Sequence, residues 1–356
     1  VIAPPAAAFV YSPLPGRVVF GAGSVAQLPA ELQRLEAVRV LLLCSPGQRN
    51  LAQTIAARFA ERVAGVFAAA AMHVPIEVAD AGRAEAARRK ADCCVAIGGG
   101  STIGLAKAIA LDTGLPVVAV PTTYAGSEMT PIYGLTTAGR KETGRALRVL
   151  PRTVVYDPDL TLALPPALAA ASGKKANAHA VEALYAPDTN PIVGIMADEC
   201  VRALASALPR IVADPADRAA RSDALYGAWL GGSVLGTAAM ALHHKLCHIL
   251  GGSYGLPHAQ THAVLIAHTA AYNAPAAGAA MARIAGALGA ADAPRALFDL
   301  RAALGLPATL AALGLRADQL DAAAALATRD PYPNPRPIDA PGIRALLQNA
   351  FDGRRP

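Results

Sequence analysis

A chain of 356 residues that is 54% hydrophobic and 16% charged is too apolar for disorder and long enough for about two domains, each with its own core. The 32 Lys and Arg against 26 Asp and Glu leave a charge of +6, with no basic cluster interleaved with aromatics. That argues against a nucleic-acid-binding face and fits the attraction of an anionic small molecule. Five cysteines (Cys44, Cys93, Cys94, Cys200, Cys247) show no zinc-ligand spacing and read as reduced, buried thiols of a cytoplasmic protein.

Residues 1–8 are apolar but lack the basic segment and the length of a cleaved leader. The run 38–44 (VRVLLLC) predicts a buried strand, followed by a turn at Ser45-Pro46-Gly47 and a helix over 50–63. Residues 93–97 (CCVAI) predict a second strand, running straight into Gly98-Gly99-Gly100, with a helix over 102–111 behind it. A third strand, 116–120 (PVVAV), ends at Pro121-Thr122-Thr123. The polar stretch 136–148 reads as a loop or hairpin, and 153–156 (TVVY) as one more strand. Short apolar strands alternating with helices imply a parallel sheet covered on both faces. From residue 160 onward the pattern is Ala- and Leu-rich helix broken by Pro and Gly. The uncharged run 224–242 approaches spanning length, but its four glycines and the histidines that follow mark it as a buried core helix rather than a membrane segment. The fold class expected is therefore α/β followed by all-α: a Rossmann-like dinucleotide-binding domain over 1–158 and a helical catalytic domain over 159–356.

Gly98, Gly99, Gly100 and Ser101 leave an apolar strand and open a helix. Glycines permit close backbone approach to a phosphate, and the helix N-terminal amides then face the anion. Neither G-x-G-x-x-G nor the Walker pattern is present, so the context carries this reading. Thr122 and Thr123 end the next strand, where their hydroxyls would face the same crevice. Ser45 opens the loop after the strand over 38–44, and no acidic residue appears in Ser45-Pro46-Gly47-Gln48 to hold a ribose and reject a 2′-phosphate. NADH and NADPH both remain open.

Most of the histidines fall in one stretch. His244 and His248, four apart, share a helix face; His258 follows a Gly-Gly-Ser-Tyr-Gly turn, and His262 lies four further on. His179 sits on a separate helical stretch. Concentrated imidazoles suit metal binding, proton transfer or capture of an anionic substrate. His243 and Lys245 flank this face and read as solvated or subunit-contact residues.

Together these segments resemble the iron-containing alcohol dehydrogenase family, in its maleylacetate reductase branch. The resemblance rests on Phe9-Val10-Tyr11 and RVVFGAG at 17–23, GGGSTIGLAK at 98–107, PTTYAGSEMT at 121–130, HAVEALY at 179–185, HKLCHILGGSYGLPHAQTH at 244–262 and NPRP at 334–337. It covers nearly the whole chain. It implies a dinucleotide held at Gly98, Gly99, Gly100 and Ser101, with Thr122, Thr123 and Thr130 along it, and an active site in a cleft between the two domains. Arg148 stands where the family often has a cofactor-contacting Lys. The metal-dependent relatives hold a divalent ion with an Asp and three His. The three histidines match His179, His244 and His258, while His248 matches a histidine close to the nicotinamide.

The acidic position, four before His179, holds Lys175. An ammonium has no lone pair and repels a cation, so no metal is expected. Gly104 is a second departure, since alcohol-oxidising relatives usually carry Asp there. The resemblance thus implies NAD(P)H-dependent reduction of maleylacetate, an enone dicarboxylate, to 3-oxoadipate in aromatic-compound catabolism. His244, His258 and Lys175 would stabilise the enolate, and His179 and His248 would orient groups or relay protons. Lys245, Arg148 or Lys141 would pair with the substrate carboxylates. A homodimer is the family expectation. Two alternatives stay open: a metal-dependent alcohol or aldehyde dehydrogenase, and a catalytically silent dinucleotide-binding protein.

Overall fold

The computed structural model describes residues 8–137, 140–330 and 332–356, with 140 and 141 through their backbone only. The first seven residues, read above for a leader, and Gly139 lie outside the described residues. The chain divides into two compact units, one of Leu14–Leu164 and the other of Pro165–Pro356 with the N-terminal residues as far as Pro13.

The first unit alternates strand and helix. It runs β1 (Arg17–Phe20), α1 (Leu28–Arg34), β2 (Val40–Leu43), α2 (Arg49–Ala56), β3 (Val63–Phe67) and α3 (Ile76–Arg88). It continues through β4 (Cys93–Gly98), α4 (Gly100–Thr113), β5 (Val117–Pro121), β6 (Ile132–Thr137), β7 (Arg140–Arg145) and β8 (Thr153–Tyr156). Six strands form one parallel sheet in the order β1-β8-β5-β4-β2-β3, while β6 and β7 pair antiparallel as a hairpin. The strands β2, β4 and β5 are buried along their whole length, as helices on both faces require. Each fully buried Leu of β2 contributes about 1.5–3 kcal/mol of apolar burial. Between β2 and β4 the strand order reverses direction, and in open α/β sheets such a switch opens a crevice at the carboxyl ends. Ser45 and Gly98 lie there.

The second unit is helical: α5 (Pro166–Ala183), α6 (Pro191–Ala213), α7 (Arg218–Thr237), α8 (Leu242–Tyr254), α9 (His258–Asn273), α10 (Gly278–Ala287), α11 (Ala293–Ala303), α12 (Leu320–Arg329) and α13 (Ala340–Asp352). Its alanines and glycines have a packing role. A Cβ on Gly231 of α7 would stand 2.9 Å from the Ala176 carbonyl of α5, so these two helices meet backbone against side-chain-free backbone. A larger core gathers Leu242, Leu246, Leu250, Val264 and Leu265 with Leu320, Ile343 and Leu347, joining α8 and α9 to α12 and α13. Among the described residues no single helix is long and apolar enough to cross a membrane. The uncharged run at 224–242 is in fact two elements, α7 and α8, bent by 96° at their break.

Candidate active site

In the α/β unit the chemistry collects at the carboxyl edge of β2, β4 and β5. Gly98 takes φ +152° and Gly99 caps α4. A Cβ on Gly98 would lie 2.5 Å from Thr102 Oγ1 and 2.6 Å from Gln48 Oε1; one on Gly99 would lie 2.8 Å from Thr123 Cγ2. Bare backbone therefore forms the start of a helix whose first amides have no capping side chain, which fits a pyrophosphate. Ser45 Oγ donates to Gln48 Oε1 at 3.3 Å, and Gln48 Nε2 donates to Thr122 Oγ1 at 2.7 Å. That chain ties the ends of β2 and β5 across the glycine loop. Thr130 is placed differently: its buried hydroxyl accepts from Lys107 Nζ at 3.0 Å and donates to the Ser127 carbonyl at 3.0 Å. Lys107 also donates to the carbonyls of Ser127, Thr130 and Ile132, so Thr130 serves the loop's own shape. A Cβ on Gly104 would stand 2.8 Å from Val74 Cγ2, so an Asp at this position would force Val74 aside.

In the helical unit His179 of α5, His243 and His244 of α8, and His262 of α9 are all buried, while His258 is half-buried and His248 exposed. Ring centroids lie 5.1 Å apart for His179 and His244, 4.9 Å for His244 and His262, and 4.6 Å for His258 and His262. His248 stacks on His258 at 5.9 Å. Both ring nitrogens of His179 and Nε2 of His244 are buried without a partner. Burial, with the charges of His244 and Lys175 beside it, holds His179 well below the usual imidazole range. Lys175 is half-buried, one turn before His179 on α5. The structure thus brings His179, His244, His248, His258 and Lys175 into one region of the helical unit.

Two expectations are corrected here. His243 is no flanking surface residue: it is completely buried. Burial, outweighing the pull of Glu182, pushes its imidazole down to about 3. Its Nε2 shares a 2.8 Å hydrogen bond with His262 Nδ1, and His262 Nε2 meets His258 Nε2 at 3.2 Å. The expected absence of a metal is also overturned. It rested on Lys175 standing for an acidic ligand, but His243, Cys247 and His262 bring ligand atoms to within 4.8 Å of one another, all buried. Two imidazoles and a thiolate suit a borderline-soft ion such as zinc, which needs no carboxylate among its ligands. His243 Nε2 is 3.7 Å from Cys247 Sγ, close to the ligand spacing of a tetrahedral site. The sequence signal was available: His243, Cys247 and His262 lie at i, i+4 on α8 and one turn into α9.

The remaining cationic candidates have partners of their own. Lys245 pairs with Asp330 at 3.7 Å and lies over the Tyr332 ring. Arg148, in the α/β unit, is exposed and donates to the Leu111 carbonyl at 3.1 Å. The side chain of Lys141 lies outside the described residues. Glu182, buried on α5 and not singled out in the sequence, accepts a 2.5 Å hydrogen bond from His244 Nδ1.

Comparison with known proteins places these features in a family. Residues 15–158 match the iron-containing alcohol dehydrogenases, and residues 169–351 match the C-terminal region of the Fe-containing alcohol dehydrogenase family. The chain is 56% identical to a maleylacetate reductase of Burkholderia cepacia over 98% of its own length and 99% of that protein. It is 56% identical to one of Sphingobium indicum over 98% and 99% of the two chains. The crystal structure of a maleylacetate reductase from Agrobacterium tumefaciens, 52% identical, superposes with a TM-score of 0.96 over 98% of this chain and 100% of that one.

Proposed function

The chain belongs to the iron-containing alcohol dehydrogenase family, in its maleylacetate reductase branch, and from that premise we propose that it reduces maleylacetate to 3-oxoadipate in the cytoplasm. It is an NAD(P)H-dependent oxidoreductase. The observation that carries the substrate assignment is the gathering of six histidines and Lys175 in the helical unit, with unpartnered nitrogens on His179 and His244. A dicarboxylate whose ketone oxygen becomes anionic during reaction matches the Lys175 ammonium and the imidazole donors around it. Five free, buried cysteines support a reducing compartment.

A reduced nicotinamide bound at the glycine loop would supply a hydride to the alkene carbon β to the ketone, leaving the electron pair on the ketone oxygen as an enolate. His244, through Nε2, and Lys175 meet that oxygen; His258 lies beside them. The enolate pair then collapses onto the carbon next to the ketone and takes a proton there, which His248 passes in from the exposed edge of the cluster while buried His179 orients the groups around it. Gly98, Gly99 and Gly100 with Ser101 would hold the cofactor pyrophosphate, with Thr122, Thr123 and Ser45 along its path. A divalent ion held by His243, Cys247 and His262 would add positive charge to the same cluster.

The test is consumption of NADH and of NADPH in the presence of maleylacetate, with simple alcohols and aldehydes in parallel. Turnover of the enone diacid supports the assignment. Turnover of simple aldehydes alone overturns it in favour of a metal-dependent alcohol dehydrogenase, and cofactor binding without turnover identifies a silent dinucleotide-binding protein.

A further inference from the structure

Helix α8 starts at Leu242, after Ala241, with no capping side chain of its own, and its first residues are buried. The partner they find comes from α5. Glu182 Oε1 accepts from His243 N at 2.7 Å, and Oε2 accepts from Ala241 N at 3.1 Å and His244 N at 3.3 Å. The same Oε2 accepts from His244 Nδ1 at 2.5 Å. Glu182 is wholly buried, and three backbone amides donate to its two oxygens, so the carboxyl is held there as an acceptor. An ionised carboxylate only accepts, so the nitrogen facing it carries a hydrogen. One turn before Glu182 on α5 stands His179, whose ring lies against His244.

We infer that Glu182 is a positioning residue, which fixes His244 with its proton on Nδ1 and so confines all exchange with substrate to the buried, otherwise unpartnered Nε2. The assignment of His244 to the enolate oxygen rests on the reductase reading; the tautomer does not. One carboxylate thus sets the start of α8, the ring orientation of His244 and the nitrogen that faces the chemistry. Without Glu182, either nitrogen of His244 can hold the hydrogen, and half of the orientations present the wrong face. Carboxylate partners of functional imidazoles typically act in this way, and their loss costs about 10- to 100-fold.

The direct test is the nitrogen-15 spectrum of histidine-labelled wild-type protein at neutral pH, with His244 assigned from His244→Gln. A protonated Nδ1 on His244 is expected; an unprotonated Nδ1 with hydrogen on Nε2 overturns the inference. The kinetic test is a double-mutant cycle of Glu182→Gln and His244→Ala with maleylacetate. The single Glu182→Gln change should lower kcat by about 10- to 100-fold while KM for the nicotinamide cofactor stays put. In the His244→Ala background it should then change kcat by less than about twofold. Multiplicative losses in the cycle would mean that Glu182 serves only the fold of α8. Should Glu182→Gln fail to fold, the wild-type spectrum still decides. Wild-type protein inert towards maleylacetate would sink the reductase reading and leave the tautomer result standing on its own.

Discussion

At the scale of single residues, the helical unit distributes roles by burial. His244 offers one nitrogen to Glu182 and the other to the reaction, so its removal deletes an oxyanion or proton-transfer group. His244→Ala should lower kcat by about 10²-fold, measured by steady-state cofactor oxidation; turnover at the wild-type rate would remove His244 from the chemistry. His243, Cys247 and His262 sit deeper. Protein equilibrated with zinc and desalted should retain the ion by elemental analysis, and Cys247→Ala or His262→Ala should lose it. Retention in both variants would place the ion elsewhere. These two sets interleave along α8, which is why the sequence separates them poorly. His243 and His244 are neighbours in the chain, yet one turns into the core and the other towards His179. Spacing alone reports that imidazoles share a helix face, not which nitrogen is already spoken for. Glu182 was illegible for the same reason: its partners lie about sixty residues away, at the start of another helix.

At the scale of elements, the strands were readable because burial on both faces leaves a continuous apolar run. The runs at 38–44, 93–97, 116–120 and 153–156 correspond to β2, β4, β5 and β8. The strand β3 was not readable. It is half-buried throughout, contains Gly65, and follows α2 through a short tight helix, so the sequence from 50 to 63 continues the helical pattern up to its first residue. The hairpin of β6 and β7 was legible only in part, as the polar stretch 136–148, since β6 mixes Ile132, Tyr133 and Leu135 with Gly and Thr. The glycine loop behaves as an element with its own steric rule. Gly98→Ala puts a methyl group against Thr102 and Gln48 at a backbone angle that L-residues rarely adopt. It should weaken NADH and NADPH binding by at least about tenfold in a titration, because the loop must open to admit the Cβ. Gly231→Val meets a backbone carbonyl that cannot rotate away. It should cost about 1–3 kcal/mol, read as a Tm lower by several degrees, without altering cofactor affinity.

At the scale of the whole molecule, the buried ionisable groups set a common direction of pH dependence. His243 is pushed by burial from 6.5 to about 3, and His268 from 6.5 to about 4, with His179 and His262 lowered in the same sense. Below about pH 6.5 the unfolded chain binds protons that these groups refuse, so stability falls as the pH drops from there towards 4. Lys174, buried and beside Arg301, is lowered from 10.5 to about 7, which makes stability rise as the pH climbs between those values. The buried thiols of Cys93, Cys94 and Cys200 are raised above 9.0 and act oppositely at higher pH. Calorimetry across pH should find the highest Tm between about pH 7 and 9, with a steep loss below 6. Lys174→Met should raise Tm more at pH 6 than at pH 9, and an equal gain at both would show that the lysine is not buried as a neutral amine. The order of the sheet has a consequence in time as well. β1 leaves the ribosome first, yet its partner in the sheet is β8, with Arg17 opposite Thr153, and β8 also covers the edge of β5. Until residue 156 has been made, the nascent chain holds a strand with nowhere to dock and an apolar edge open to other chains. Closing the sheet by its last strand makes the final step of this unit's folding a long-range one, and gives a chaperone a defined interval in which to act.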